Sequence, residues 1–259
     1  WSSSTSLLVH PASVYIGLRS DQYFVPKGTP LKIDFIVTDL DGNAIAGQQA
    51  VITAARLDWK WKAGQWIEQE VDVQTCESAS KIDAQTCKFE TPVGGTYRIT
   101  AIVADDLGRK NQTVLTRWVS GGQRPAARNI EQEEVTLIPD RETYQPGDTA
   151  QILVQSPFTP AEGLLTISRS GIVSTSRFQI TEGTATLSIP IKAKYIPNIN
   201  IQVDLVGAAE RVDDNGEIVK GADPRPAFAT AALTLKIPPL QRTLKLEVSP
   251  DLNRLEPGG

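Results

Sequence analysis

Hydrophobic and polar residues alternate with a period of two along most of the chain. The alternation is clearest over residues 30–39, and it returns over residues 48–61 and 94–119. A period of two is typical of β-strands that bury one face. Turn residues separate these runs at short intervals, and no segment shows the 3.6-residue period of a helix. The pattern predicts an all-β fold built of antiparallel β-sandwiches.

A short motif recurs at the start of successive runs of strands. An alternating strand and a polar spacer precede an aromatic residue or Leu, one further residue, and Pro. The copies are Phe24-Val25-Pro26, Tyr144-Gln145-Pro146 and Leu255-Glu256-Pro257. Proline presets φ at a turn, and the glycine that follows tolerates a positive φ. The motif predicts a tandem array of similar sandwich domains.

The spacing of the motif predicts the domain boundaries. Residues 11–121 and 131–239 each form a sandwich, joined by a polar linker rich in Gly, Pro and Arg over residues 122–130. Residues 1–10 are read as the end of a preceding unit or a linker. Residues 240–259 are read as the first strand of a third, truncated sandwich.

Composition and charge narrow the range of functions. Of the 259 residues, 40% are hydrophobic and 22% are charged, values typical of a folded globular protein. The formal net charge is −4, and the Lys and Arg residues are scattered, so no basic field favours nucleic acid. No apolar run approaches the length of about 18 residues that a membrane span needs.

The two cysteines, Cys76 and Cys87, flank ten polar residues between two strand-like runs. This spacing favours a disulfide across a hairpin, which stabilises by about 3 kcal/mol on the chain-entropy model. A metal pair and two reduced thiols are the alternatives, although no His or further Cys lies nearby. A disulfide in turn points to an oxidising compartment such as a periplasm.

Three stretches resemble the macroglobulin-like domains of bacterial alpha-2-macroglobulins. They read YQPGDTAQILVQSPF (144–158), GTYRITAIVADDLGRKNQTVLTRWVSG (95–121) and ADPRPAFATAALTLKIPPLQRTLKLEVSPDLNRLEPGG (222–259). A Pro-Gly opener alone is common among bacterial immunoglobulin-like repeats. The hairpin that closes on Trp-Val-Ser-Gly and the Ala-Asp-Pro-Arg-Pro-Ala-Phe stretch are more specific. The resemblance implies tandem macroglobulin-like sandwiches.

The resemblance also implies a function for the intact protein. In this family, macroglobulin-like domains frame a cage that traps proteases after a protease cuts an exposed bait segment, often with covalent capture by a thioester. Bacterial members are periplasmic, commonly lipid-anchored to the inner membrane, and guard the cell envelope. The implied partners are neighbouring domains of the same full-length chain and target proteases. Contact with a membrane is implied only through an anchor outside this fragment.

The reactive parts of the trap are missing from this sequence. The family's thioester needs a Cys followed three residues later by Gln, but Ala79 and Glu90 stand at those positions after Cys76 and Cys87. No long flexible tract suited to cleavage stands out either. We therefore expect a structural scaffold, with the bait and thioester outside the fragment. No enzymatic activity and no cofactor are expected.

Exposed aromatic residues are the candidate interaction surface. Trp59, Trp61 and Trp66 are close in sequence, and Phe228 lies in an irregular stretch. Trp is favoured at partly wet interfaces, so contact with a neighbouring domain or a ligand is the prediction. Two indoles on one strand face also suit stacking on sugars. The alternative function is therefore an immunoglobulin-like spacer or binding domain of a cell-surface adhesin or carbohydrate-binding protein.

Motifs for metal binding and catalysis are weak. Residues 39–43 (DLDGN) and 213–217 (DDNGE) superficially resemble calcium loops but lack the later ligands of the twelve-residue pattern. Asp, Asn and Gly also suit tight turns. His10 is the single histidine, so the chain offers neither a catalytic triad nor a metal cluster. We expect no metal site.

Overall fold

Residues 9–119 supply eight strands that make up a first β-sandwich. The computed structural model describes residues 4, 9–62, 65–121, 134–211, 213 and 218–240, and it describes residues 61, 62, 65 and 66 by their backbone alone. The strands are β1 (Tyr15–Arg19), β2 (Phe24–Val25), β3 (Leu31–Thr38), β4 (Gln49–Lys62), β5 (Gln65–Ala79), β6 (Gln85–Phe89), β7 (Gly95–Ala104) and β8 (Lys110–Val119).

Two sheets of this first sandwich enclose one apolar core. One sheet has the strand order β1-β3-β6 and the other β2-β8-β7-β4-β5. The alternation in β3 translates directly into burial, since Leu31, Ile33, Phe35 and Val37 are buried and the residues between them are not. These side chains pack against residues of the facing sheet, among them Ile52. The predicted hairpin over residues 94–119 is formed by β7 and β8.

Residues 135–237 form a second β-sandwich around a separate core. Its sheets have the strand orders β9-β10-β13 and β12-β11-β14-β15. The strands are β9 (Thr136–Pro139), β10 (Thr149–Gln155), β11 (Ala161–Ser168), β12 (Ile172–Ile180), β13 (Thr184–Pro190), β14 (Asn198–Ala209) and β15 (Arg225–Lys236), with one 3-10 turn at Ala193–Tyr195. The all-β fold expected from the alternation is present throughout the described residues.

The two sandwiches repeat one topology. The order β1-β3-β6 corresponds to β9-β10-β13, and β8-β7-β4-β5 corresponds to β15-β14-β11-β12. In both sandwiches, a residue at the start of the recurrent motif pairs in parallel with the last strand. Phe24 pairs with Trp118, and Thr143, just before the second copy of the motif, pairs with Lys236. The recurrence seen in the sequence therefore marks a structural repeat. The exact boundaries stay predictions, because residues 1–10, 122–130 and 240–259 fall almost entirely outside the described residues.

The structure shifts the alignment of the first two copies of the motif by one residue. Counting back from proline equates Phe24 with Tyr144. However, Gly28 and Gly147 both have positive φ, and both donate their N–H to a carbonyl just beyond the third strand of the same sheet. Counting from these glycines equates Val25 with Tyr144, and both side chains lie in the core of their own sandwich. Lys27, an extra residue between Pro and Gly, causes the offset.

The disulfide between Cys76 and Cys87 is present, but it does not span a hairpin. Cys76 lies on β5, at the edge of the five-stranded sheet, and Cys87 lies on β6, at the edge of the three-stranded sheet. The chain crosses from one sheet to the other between these strands. The bond therefore joins the two sheets of the first sandwich along one open side.

A buried carboxylate closes the turn between β7 and β8. The side chain of Asp105 is 2% exposed and forms an ion pair with Arg109 at 2.7 Å. Its Oδ2 also accepts hydrogen bonds from the backbone N–H and hydroxyl of Ser13, which ties the turn to the residues before β1. The Ser13 backbone N–H, followed by Arg109, holds the pKa of Asp105 well below its usual range against the opposing effect of burial.

We expect Asp105→Asn to flatten the dependence of stability on acid pH. Because the folded pKa of Asp105 lies below its unfolded value of about 4, the carboxylate stabilises the fold above that value. This contribution is lost as the pH falls through the folded pKa. Urea unfolding between about pH 7 and about pH 3 measures it through the pH dependence of the free energy. Asp106→Asn, at the exposed neighbouring position, should keep the wild-type dependence. Parallel curves for wild type and Asp105→Asn would contradict the assignment.

Candidate interaction site

The end of the β4–β5 hairpin projects beyond its sheet. Pairing of β4 with β7 stops at Leu57 and Thr96, whereas pairing of β4 with β5 continues from Asp58–Gln69 to Lys62–Gln65. We call residues 58–69 the tryptophan ribbon. An isolated two-stranded ribbon is marginally stable in water. Within residues 58–62 and 65–69, each strand of the ribbon pairs with the other strand alone.

All three predicted tryptophans lie on the tryptophan ribbon. Trp59 is 42% exposed and pairs with Glu68 on β5. Trp61 and Trp66 are paired residues in the backbone register, and their side chains lie outside what the structure describes. The backbone register thus brings the three residues to one hairpin end, a placement that the sequence analysis did not predict. Their contact with a ligand or a neighbouring domain stays a prediction.

Arg98 on β7 holds the base of the tryptophan ribbon. Its guanidinium donates hydrogen bonds to the carboxylates of Glu68, at 2.5 Å, and Glu70, at 3.1 Å. These two side-chain hydrogen bonds raise the pKa of Arg98 above its ordinary value. All three side chains are a third to a half exposed, so water screens the pairs and their contribution to stability is small. The contacts position the base of the ribbon beside β7.

Phe228 lies in a strand rather than in the irregular stretch expected from the sequence. Strand β15 begins at Arg225, and alternation places Ala227 in the core and Phe228 outside, with 77% of its surface exposed. Phe228 pairs across the sheet with Val206, which is 58% exposed. The pair forms an apolar patch on the second sandwich, whereas the tryptophan ribbon belongs to the first.

A third aromatic site was not predicted, and it lies where the two sandwiches meet. Phe24 from the first sandwich packs with Ile138 and Leu153 from the second, and Tyr23 and Trp118 pack against this cluster. We call these five residues the aromatic junction. The sequence signal was the run Ile152-Leu153-Val154, in which three successive residues are fully buried. A strand that buries both faces loses its alternation.

Arg117 supports the segment that carries Tyr23. Arg117 is 6% exposed, and its guanidinium lies 5.0 Å from the centre of the Tyr23 ring. One nitrogen donates to the carbonyl oxygen of Thr116 at 2.7 Å, while Nε has no hydrogen-bond partner. Burial lowers the pKa of Arg117. A cation–π contact of this kind favours a fixed position for the aromatic ring.

The first candidate calcium loop, residues 39–43, is a tight turn held together by its own carboxylate. Asp39 accepts hydrogen bonds from the backbone N–H groups of Asp41 and Asn43 and from the Asn43 side chain. The Asn43 side chain, with these backbone groups, lowers the pKa of Asp39. The carboxylate therefore stabilises its own turn. Of the second loop, residues 213–217, the structure describes Asp213 alone.

The described residues contain no cluster of three or more His, Cys, Asp or Glu side chains suited to a metal ion. His10, the single histidine, shares a hydrogen bond of 2.8 Å with the Tyr15 hydroxyl near the start of β1. Within the part of the chain that the structure describes, no helix is long and apolar enough to cross a membrane.

Comparison with known proteins shows which family the chain resembles. The model of the alpha-2-macroglobulin bait region domain matches residues 135–259. The alpha-2-macroglobulin homolog of Nostoc sp. is 22% identical over 264 residues, which cover 99% of this chain and 14% of the relative. The chain therefore spans about one seventh of the length of this curated relative.

Solved structures of alpha-2-macroglobulins are also similar. The native conformation of the E. coli protein covers 89% of this chain and 15% of its own length, with 19% identity and a TM-score of 0.33. The Salmonella protein reacted with methylamine covers 88% and 15%, with 18% identity and a TM-score of 0.33. Because these TM-scores are low, the assignment rests on the sequence matches, which together span both sandwiches. Residues 135–259 therefore match the alpha-2-macroglobulin family, and the chain as a whole is similar to alpha-2-macroglobulins.

Proposed function

We propose that this chain is a non-catalytic structural part of a bacterial alpha-2-macroglobulin, a broad-range inhibitor that traps proteases after bait cleavage. The observation that carries the proposal is the match of 99% of the chain to a bacterial alpha-2-macroglobulin homolog. The two sandwiches support a framing role, since each has its own closed apolar core. In such a trap, the frame keeps its shape until the bait is cut.

We place the thioester outside residues 1–259. A thioester forms from a cysteine thiol and a glutamine side chain, so its cysteine cannot be in a disulfide. Both cysteines of the chain are bonded to each other. Covalent capture of a protease would therefore depend on another part of the full-length protein.

We also place the bait outside this chain. Proteases bind extended, accessible segments, and the strands of the second sandwich are held by sheet pairing and by buried side chains. The family model that matches residues 135–259 is nevertheless named for the bait region. A bait beyond residue 259 and a bait within residues 135–259 are thus the two outcomes that an experiment must separate.

Limited proteolysis of the full-length protein tests this proposal. Brief treatment with several unrelated proteases, with the first cut mapped by mass spectrometry, should locate the bait outside residues 1–259. After cleavage, the bound protease should still cut small substrates but not large ones, because a cage excludes large substrates. The isolated 259-residue chain is the control and should protect no protease.

Two results would contradict the proposal in different ways. A first cut within residues 135–259 that accompanies trapping would place the bait in this chain. Proteases that keep full activity on large substrates after cleavage would remove the trapping function itself.

We further propose a periplasmic location, with an anchor to the inner membrane elsewhere in the full-length protein. The disulfide supports this location, because disulfides persist in oxidising compartments. The anchor is inferred from bacterial members of the family. Recovery of the full-length protein with spheroplast membranes, at their outer surface, checks both parts, and recovery in the cytosol would exclude them.

A further inference from the structure

We propose that the two sandwiches form one rigid unit, and that the aromatic junction fixes their relative orientation. Leu153 is fully buried, and Phe24 and Ile138 are each 5% exposed. Phe24 belongs to the first sandwich and the other two to the second, so their burial depends on contact between the sandwiches. Burying large apolar side chains stabilises the contact that removes them from water.

The apolar centre is accompanied by polar contacts between the sandwiches. The backbone N–H of Tyr23 donates to the carbonyl oxygen of Asp140 at 3.3 Å. The backbone N–H of Gly121 donates to the hydroxyl oxygen of Thr184 at 2.7 Å. Hydrogen bonds have strict geometry, so they restrict rotation about the apolar centre. Together these contacts define one orientation rather than a sliding surface.

The structural repeat provides an internal comparison for the second sandwich's side of the junction. Leu153 and Ile138 are paired neighbours on β10 and β9. Counting from Gly147 and Gly28 gives Asp34 as the counterpart of Leu153, and Asp34 is paired with Arg19 on β1. Asp34 accepts a hydrogen bond from Thr86, and Arg19 is 75% exposed. The corresponding face of the first sandwich is therefore polar.

The first sandwich's side of the junction shows the same contrast. Phe24 and Trp118 are paired neighbours in the first sandwich, and their counterparts in the second are Thr143 and Lys236. Lys236 forms an exposed ion pair with Glu142 at 3.5 Å. Apolar residues thus occupy these positions where the two sandwiches meet, and polar residues occupy them on the faces that point away.

Apolar residues at the contact and polar residues at the equivalent positions elsewhere are expected if the junction has the specific role of joining the sandwiches. If the apolar residues were needed by the sandwich fold itself, both copies would carry them at equivalent positions. Their presence at the shared contact alone assigns them to holding the sandwiches together. This inference does not depend on the proposed protease trapping, since it follows from residues within the chain.

Distance measurement by pulsed electron paramagnetic resonance tests the rigid unit. Spin labels at Gln112→Cys and Thr175→Cys report on the first and the second sandwich, because both positions are exposed. The native cysteines stay unlabelled, since they are bonded to each other. The wild-type background should give one narrow distance distribution. Phe24→Ser and, from the other side, Ile138→Ser should each at least double its width.

Phe228→Ser is the matched control, because it removes the same side chain from an exposed position on the second sandwich. It should leave the distribution unchanged. Circular dichroism confirms that each variant stays folded, and either junction variant alone is sufficient for the comparison. A broad distribution in the wild-type background, or one that neither junction variant widens, would overturn the proposal.

Discussion

Replacing Cys76 with Ser and Cys87 with Ala is expected to lower the free energy of unfolding by about 3 kcal/mol. The bond closes a loop between residues separated by 11 positions, so its removal increases the freedom of the unfolded chain. It also releases β5 from β6 at the edge where the two sheets of the first sandwich are joined. Equilibrium unfolding in urea, followed by tryptophan fluorescence, measures the loss.

A reducing agent supplies the control for this prediction. Reduction breaks the same bond in the wild-type chain without changing either residue, so reduced wild type should unfold near the variant. The variant itself should not respond to the reductant. If the variant and the oxidised wild type unfold at the same urea concentration, the disulfide contributes nothing to the stability of the first sandwich.

The strands were predictable because most of them bury one face only. In β3 and β7 every buried position carries an apolar or aromatic side chain, and Lys32, Asp34, Arg98 and Thr100 occupy less buried positions between them. Such a pattern is local and needs no knowledge of the partner strand. The pairing of Cys76 with Cys87 was predicted for a similar reason, since few residues separate them.

The sheet that each strand joins was harder to predict. Nearness in sequence suggested a hairpin around the disulfide, but β5 pairs with β4 along nearly its whole length, and β6 pairs with β3. Of these pairings, that of β6 with β3 depends on contacts distant in sequence, which the pattern of a single strand does not contain. The position of the disulfide between two sheets follows from them.

The aromatic junction shows where single-strand reasoning ends. The run Ile152-Leu153-Val154 indicates that both faces of β10 are buried, but it does not say what covers the outer face. The covering residues, Phe24 and Trp118, come from the other sandwich. Phe228 shows the opposite case: the alternation over Ala227, Phe228 and Ala229 was readable, but the prolines nearby suggested a loop.

Gly207→Ala is expected to destabilise the second sandwich by about 1–3 kcal/mol, as overpacking does. Gly207 lies on β14, paired with Ala161 on β11. A Cβ atom at this position would lie 2.5 Å from the carbonyl oxygen of Pro160 and 3.0 Å from the ring of Phe158. The carbonyl oxygen belongs to the backbone, so it cannot move aside as the end of a flexible side chain does. Urea unfolding of the variant measures the cost.

Gly171→Ala is the matched control for this steric argument. Gly171 lies in the turn between β11 and β12, its φ is outside the left-handed range, and no atom lies within 4 Å of the position that a Cβ would take. The same substitution should therefore change stability by less than about 0.5 kcal/mol, or raise it slightly by restricting the unfolded chain. If Gly207→Ala and Gly171→Ala are equally mild, the approach of Pro160 does not restrict residue 207, and β14 has room there that the structure does not show. A large loss at residue 207 alone would establish that a glycine is required where β14 passes the start of β11.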